Sequence, residues 1–164
     1  MLHLIFLLLI GLGGGGSGGS AAPAAVAEAA PLQADAPQYV AEPQQPTGKF
    51  TTAVEVKPIL TATKPQWVAL REYDGRDLLY VTQILSWRCG LVGLEVGING
   101  APPEVWPLPE CLEDGPMPNA ITGDEGVVYK RYDLGSVSDV SVRIIYDDLT
   151  EDSASYPRAS ILMP

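Results

Sequence analysis

Histidine is all but absent: the chain of 164 residues has one, His3, at its extreme N-terminus. A chain that loses this residue on processing has no imidazole for Ser-His-Asp or Cys-His catalysis, and none for a His-ligated metal site. Cysteine is scarce too. The two that occur, Cys89 and Cys111, are 22 positions apart and match no zinc pattern, which would need close pairs. Cations are outnumbered, 10 Lys+Arg against 20 Asp+Glu, for a formal charge of −10. Scattered through that acidic field they are too few to neutralise a phosphate backbone, so nucleic acid is not an expected partner. Residues 48–164 also lack S-x-x-K, G-x-S-x-G and G-x-G-x-x-G. That leaves no serine-nucleophile motif and no phosphate-cradling glycine loop there.

The apolar run Leu2 to Leu12 has 11 residues. As a helix it would reach about 16 Å, roughly half the hydrocarbon thickness of a bilayer. Residues 1–27 therefore read as an export signal, with Ala25-Val26-Ala27 fitting the A-x-A cleavage pattern and Ala22-Pro23-Ala24 as a second choice. The usual Lys or Arg before the run is missing, so a retained anchor is the other reading. After cleavage no membrane span is expected, and the location becomes periplasmic or secreted. Two cysteines agree with an oxidising compartment, where Cys89 and Cys111 are expected to form a disulfide worth about 3 kcal/mol.

Residues 28–47, rich in Ala, Pro and Gln, cannot bury enough apolar surface to offset their ordering entropy. They read as a disordered or semi-extended linker, which leaves 48–164 as a single domain. Its hydrophobic period is 2. Val92, Leu94, Val96 and Ile98 alternate with Gly93, Glu95 and Gly97, and Val140, Val142, Ile144 and Tyr146 form a second alternating set. Further strands are expected at Thr52 to Lys57 and at Val127 to Tyr132. Asp74-Gly75 predicts a two-residue hairpin turn within Trp67 to Trp87, pairing Leu70 with Leu79 and putting Ala69, Arg71, Leu78 and Tyr80 on the other face. Leu78 to Trp87, apolar on both faces, reads as a long central strand. Asn99-Gly100 is a second turn signal, and a two-residue turn there would place Cys89 opposite Glu110, so one extra residue brings the sulfurs together. The proline-rich return arm, Ala101 to Cys111, can only be an edge or a covering strap. The fold class is all-β, a small sandwich or partly open barrel of about seven short antiparallel strands with one disulfide.

Carboxylates supply the remaining candidate chemistry. Asp147, Asp148 and Asp152 lie close together after a strand and could gather around a hard cation such as Ca²⁺, although Ser153 and Ala159 stand where a calcium loop needs glycine and a bidentate acid. Glu113, Asp114, Asp124 and Glu125 fall in the longest loop, Leu112 to Gly126. Arg88, Trp106, Tyr129 and Tyr132 form a candidate binding surface, with Arg88 also able to cap strand-end carbonyls or stack on Trp106. No catalytic residue and no cofactor is assigned.

Through SWRCG (Ser86 to Gly90) and INGAPPEVWPLPEC (Ile98 to Cys111), residues 57–164 resemble small exported bacterial proteins of unassigned function. The resemblance implies export and no activity. The function expected is that of an exported, non-enzymatic β-domain binding another cell-envelope or secreted component, with a protein partner in the envelope as one candidate. The alternatives are a Ca-dependent or carboxylate-based binder or hydrolase working through acidic loops, and an inhibitor of a cationic periplasmic enzyme.

Overall fold

The computed structural model describes residues 37–123 and 128–164. The expected signal, the first part of the expected linker, Asp124, Glu125 and Val127 lie outside the described residues. Among the described residues seven strands form two antiparallel sheets, which are not closed into a barrel. The three-stranded sheet has the order β1-β2-β5, from β1 (Ala69–Tyr73), β2 (Arg76–Tyr80) and β5 (Tyr129–Asp133). The four-stranded sheet has the order β4-β3-β6-β7, from β3 (Leu91–Ile98), β4 (Glu104–Val105), β6 (Asp139–Tyr146) and β7 (Glu151–Pro157). One cluster of buried side chains draws on both sheets, including Leu70, Leu79, Leu94, Val140 and Ile144. The all-β, sandwich-like expectation is met, with one disulfide.

Both predicted turns form. Asp74 and Gly75 have φ of 51° and 69°, and Asn99 and Gly100 have 55° and 74°. Two successive residues at positive φ make the turn whose twist matches a hairpin, and glycine at the second position takes that conformation without strain. In the first hairpin Leu70 pairs with Leu79 and Arg71 with Leu78, as the alternation requires. In the second, Ala101 N–H donates to the Ile98 carbonyl at 3.0 Å. Further along, Val96 pairs with Glu104 and Glu95 with Val105, one residue beyond the two-residue register. That extra residue brings Cys89 and Cys111 together as a disulfide, with Cα atoms 5.2 Å apart. The return arm lies at the sheet edge, as its prolines require, and Trp106 is buried beneath it.

Three expectations are corrected. Thr52 to Lys57 is not a strand: α1 (Ala53–Ala62) runs through it and buries Ala53, Val56 and Leu60, a helical three-four spacing. Pro58 within α1 gives up one helical hydrogen bond, which weakens the helical signal in the sequence. Leu78 to Trp87 is not one long strand either. β2 ends at Tyr80, and a helical turn α2 (Thr82–Leu85) and a 3-10 turn (Arg88–Gly90) follow. Ile84 and Leu85 are buried by that turn rather than by a central strand position. Lastly, pairing with β6 shifts between Leu91 and Gly93, so a bulge takes Val92 off the core face while Leu94 and Val96 stay on it.

Residues Pro37–Pro164 form one compact unit. The part of the expected linker that is described, 37–47, has neither helix nor strand, yet it is tied to the sheets. Glu42 N–H donates to the Asp147 carbonyl at 2.8 Å, and the Gln44 side-chain amide donates to the Asp147 carboxylate at 2.7 Å. At the other end of the chain Arg158, first residue of α3 (Arg158–Ile161), reaches the three-stranded sheet. Its guanidinium forks onto Asp77, which is fully buried, at 2.7 and 2.9 Å. This pair holds the Asp77 carboxyl down at about 2.

Candidate functional site

Asp147, Asp148 and Asp152 do not converge. Leu149, at φ 65°, turns the chain between β6 and β7, and the three carboxylates address different elements. Asp147 is buried, and its Oδ1 accepts from the Ala53 N–H at the start of α1 at 2.8 Å and from Gln44. Its Oδ2 is buried without a partner among the described residues. Burial pushes its pKa up. Asp148 pairs with Lys57 and accepts from Thr150 N–H, whereas Asp152 pairs with Lys64. Among the described residues no three or more His, Cys, Asp or Glu side chains are grouped to hold a metal ion.

Of the expected binding surface, Arg88 and Trp106 are 3% and 1% exposed and cannot present themselves to a partner. Arg88 donates instead to the carbonyls of Pro109, Glu110, Asn119 and Ala120 at 2.7–3.1 Å, as the carbonyl-capping role would require. It thereby fastens the loop after β4 to the 3-10 turn beside the disulfide. The Lys130 ammonium lies over the Trp106 ring, 4.7 Å from its centre. Tyr129 and Tyr132 are three positions apart in one strand, an odd spacing that sends them to opposite faces. Tyr132 packs against the core, and burial first, then Glu104, raises its hydroxyl pKa.

Tyr129 stands on the outward face of the three-stranded sheet, where the register assembles a grid. Arg71, Leu78 and Arg131 lie side by side across β1, β2 and β5. On one side of that row are Tyr80 and Tyr129, their ring centres 5.1 Å apart. On the other side are Tyr73 and Arg76. Leu78, 6% exposed, is the floor. Together with Asp74 these side chains line a concavity of about 530 Å³.

Two of the guanidiniums are held against tyrosine rings, Arg71 at 4.8 Å from the Tyr73 centre and Arg131 at 5.2 Å from that of Tyr129. Arg131 Nη2 also donates to the Tyr129 hydroxyl at 2.8 Å, and Arg76 pairs with Asp133. The Tyr73 ring restrains the Arg71 guanidinium without using any of its N–H groups. Alternation along the first hairpin is enough to put Arg71, Leu78 and Tyr80 on one face. The missing step was that β5 pairs with β2, which adds Tyr129 and Arg131; a candidate strand rich in basic and aromatic residues was the only signal for it.

A second concavity, about 440 Å³, lies between Phe50, Trp87 and Met117. Phe50 and Trp87 meet edge to face at 5.3 Å, and Met117 is 68% exposed. Asn119 organises its wall, accepting from Cys89 N–H and donating to the Phe50 carbonyl. Its lining is mostly apolar and carries no charged side chain beyond Lys49. No protein-family model, curated protein or solved structure matches the chain.

Proposed function

We propose that the protein is an exported, non-enzymatic β-domain that binds an anionic component of the cell envelope or the secreted milieu through the outward face of β1, β2 and β5. One observation carries this reading: a chain of net charge −10 gathers three of its ten cations and three of its seven tyrosines on one concave sheet face. Aromatic and arginine side chains are the types that dominate binding energy at recognition surfaces. Export is supported by the Cys89–Cys111 disulfide, which suits an oxidising compartment, and by the apolar run with its A-x-A pattern. The absence of histidine from residues 4–164 supports the non-enzymatic part.

The test is retention of envelope material on immobilised protein, compared between wild type and Arg71→Gln at low and high salt. Retention that falls with the substitution and with salt is expected, since contacts made by exposed charges are screened. Retention indifferent to both would contradict the reading.

A further inference from the structure

We propose that the hollow between Phe50, Trp87 and Met117 docks a basic, proline-containing segment of a partner protein. Its apolar side chains enter the hollow, and an adjoining Lys or Arg reaches the carboxylates of Glu42 and Glu113. The site shares no lining residue with the outward face of β1, β2 and β5, so the two proposals stand independently.

The first ground is that the apolar half is held in place. Met117 is 68% exposed, yet the loop that carries it is tied at both ends. Leu112 N–H donates to the Pro118 carbonyl at 3.0 Å across its neck, and the Cys89–Cys111 bridge fixes its start. Arg88 holds carbonyls on both flanks, those of Pro109 and Glu110 and those of Asn119 and Ala120. Phe50 has φ of 58°, a conformation that bulky residues seldom adopt, and its carbonyl is held by the Asn119 amide at 2.8 Å. A methionine and a phenylalanine fixed in exposed positions form an apolar surface that is ordered before a ligand arrives, which lowers the entropy lost on binding.

The second ground is charge, and it selects the occupant. Lys49 lines both this hollow and a neighbouring one of about 270 Å³, where it meets Glu42 and Glu113. Neither acid has an ion-pair partner among the described residues. Burial first, then the charges of Asp147 and Glu113, push the Glu42 carboxyl up, so like charges crowd this end with Lys49 as the one cation in the lining. The net charge of −10 acts in the same direction, steering cations toward the chain. No three acids among the described residues are grouped to hold a metal ion. The cation must therefore arrive on a framework of its own, as a side-chain ammonium or guanidinium does.

The third ground is hydrogen bonding. Asn119 spends both ends of its amide on backbone groups, those of Cys89 and Phe50. Trp87 keeps its indole N–H buried without an acceptor among the described residues. The apolar half thus has no uncommitted side-chain amide or carboxylate to receive a peptide N–H. A proline-containing segment brings fewer N–H groups to leave unpaired, and its pre-extended backbone suits an aromatic-lined groove.

The experiment is calorimetric titration of the full chain, at physiological salt, with the blocked peptide Leu-Pro-Leu-Pro-Arg-Arg. Leu-Pro-Leu-Pro-Glu-Glu and Gly-Ser-Gly-Ser-Arg-Arg are the parallel arms, one reversing the charge and the other removing the apolar anchor. Binding of the first peptide alone is expected, weakened about tenfold by Met117→Ser, the scale of one buried apolar side chain. The Glu42→Gln/Glu113→Gln double variant is expected to weaken it about fivefold, the scale of exposed ion pairs. Leu134→Ser, at an apolar residue likewise exposed but in the turn after β5, is expected to bind as wild type does. Circular dichroism of each variant separates lost affinity from lost fold. Equal binding of the acidic peptide would overturn the charge assignment, and equal binding of the Gly-Ser peptide would overturn the role of the hollow. Failure of the first peptide to bind, or binding indifferent to both sets of substitutions, would overturn the docking site itself.

Discussion

Asp77 and Arg158 form the ion pair with the greatest structural consequence. The carboxylate is fully buried and takes both guanidinium arms together with the Val137 N–H at 3.2 Å. Removing one partner strands a buried charge, so Arg158→Ala should lower unfolding free energy by about 3 kcal/mol. Guanidinium-chloride unfolding at pH 7 checks it. With a folded pKa of about 2 against the ordinary 3.8, the pair's contribution is fully present above 3.8 and is lost as pH falls from there through 2. Asp147 has the opposite sign. Its raised pKa means that the folded state holds the proton more tightly than the unfolded chain, so wild type gains stability from this residue as pH falls through the folded value. Asp147→Ala loses the bonds to Ala53 and Gln44, at a cost of about 2 kcal/mol. The gap between wild type and this variant should widen from pH 7 to pH 4 in denaturant midpoints; a gap that narrows would refute the assignment.

The elements show where local sequence is sufficient and where it is not. Asp74-Gly75 and Asn99-Gly100 carry their turn chemistry with them, and β6 alternates from Asp139 to Ile144 before Ile145 and Tyr146 are both buried, so these were legible. Helix α1 was not read, although Thr52 with Glu55 three residues later is a local start signal and the Glu55 carboxylate accepts from the Thr51 N–H and the Thr52 hydroxyl; its first N–H, on Ala53, is taken by the Asp147 carboxylate from 94 positions away. Its C-terminal end is likewise satisfied from outside, with the Trp67 indole N–H donating to the Leu60 carbonyl at 2.9 Å. The helix also packs closely on the turn before β3. A Cβ at Gly90 would come within 2.5 Å of Val56 Cγ2 and 2.9 Å of the Thr52 backbone. Gly90→Ala should therefore displace α1 and cost about 1–3 kcal/mol, visible as a lowered thermal midpoint. An unchanged midpoint would mean that α1 is not seated as described.

For the whole molecule, acidity and the single disulfide were plain from composition, but their arrangement was not. The tally of cations implied dispersal. Strand pairing instead brings Arg71, Arg76 and Arg131, from three different strands, onto one surface. Arg88, equally basic in the sequence, is sealed inside as a carbonyl clamp. The Cys89–Cys111 bridge closes the arm that covers Trp106. Replacing both cysteines with serine should cost about 3 kcal/mol, read as a lowered denaturant midpoint under non-reducing conditions.

If the outward face of β1, β2 and β5 is where this protein meets its ligand, binding must leave its mark there and nowhere else. A residue-by-residue map of amide chemical shifts, recorded as a small anionic fraction of envelope extract is added to the isotopically labelled chain, reads this without any substitution. Shifts are expected to concentrate at Arg71, Tyr73, Leu78, Tyr80, Tyr129 and Arg131, with the groove at Phe50, Trp87 and Met117 silent. Shifts concentrated in that groove, or spread evenly over the surface, would contradict it.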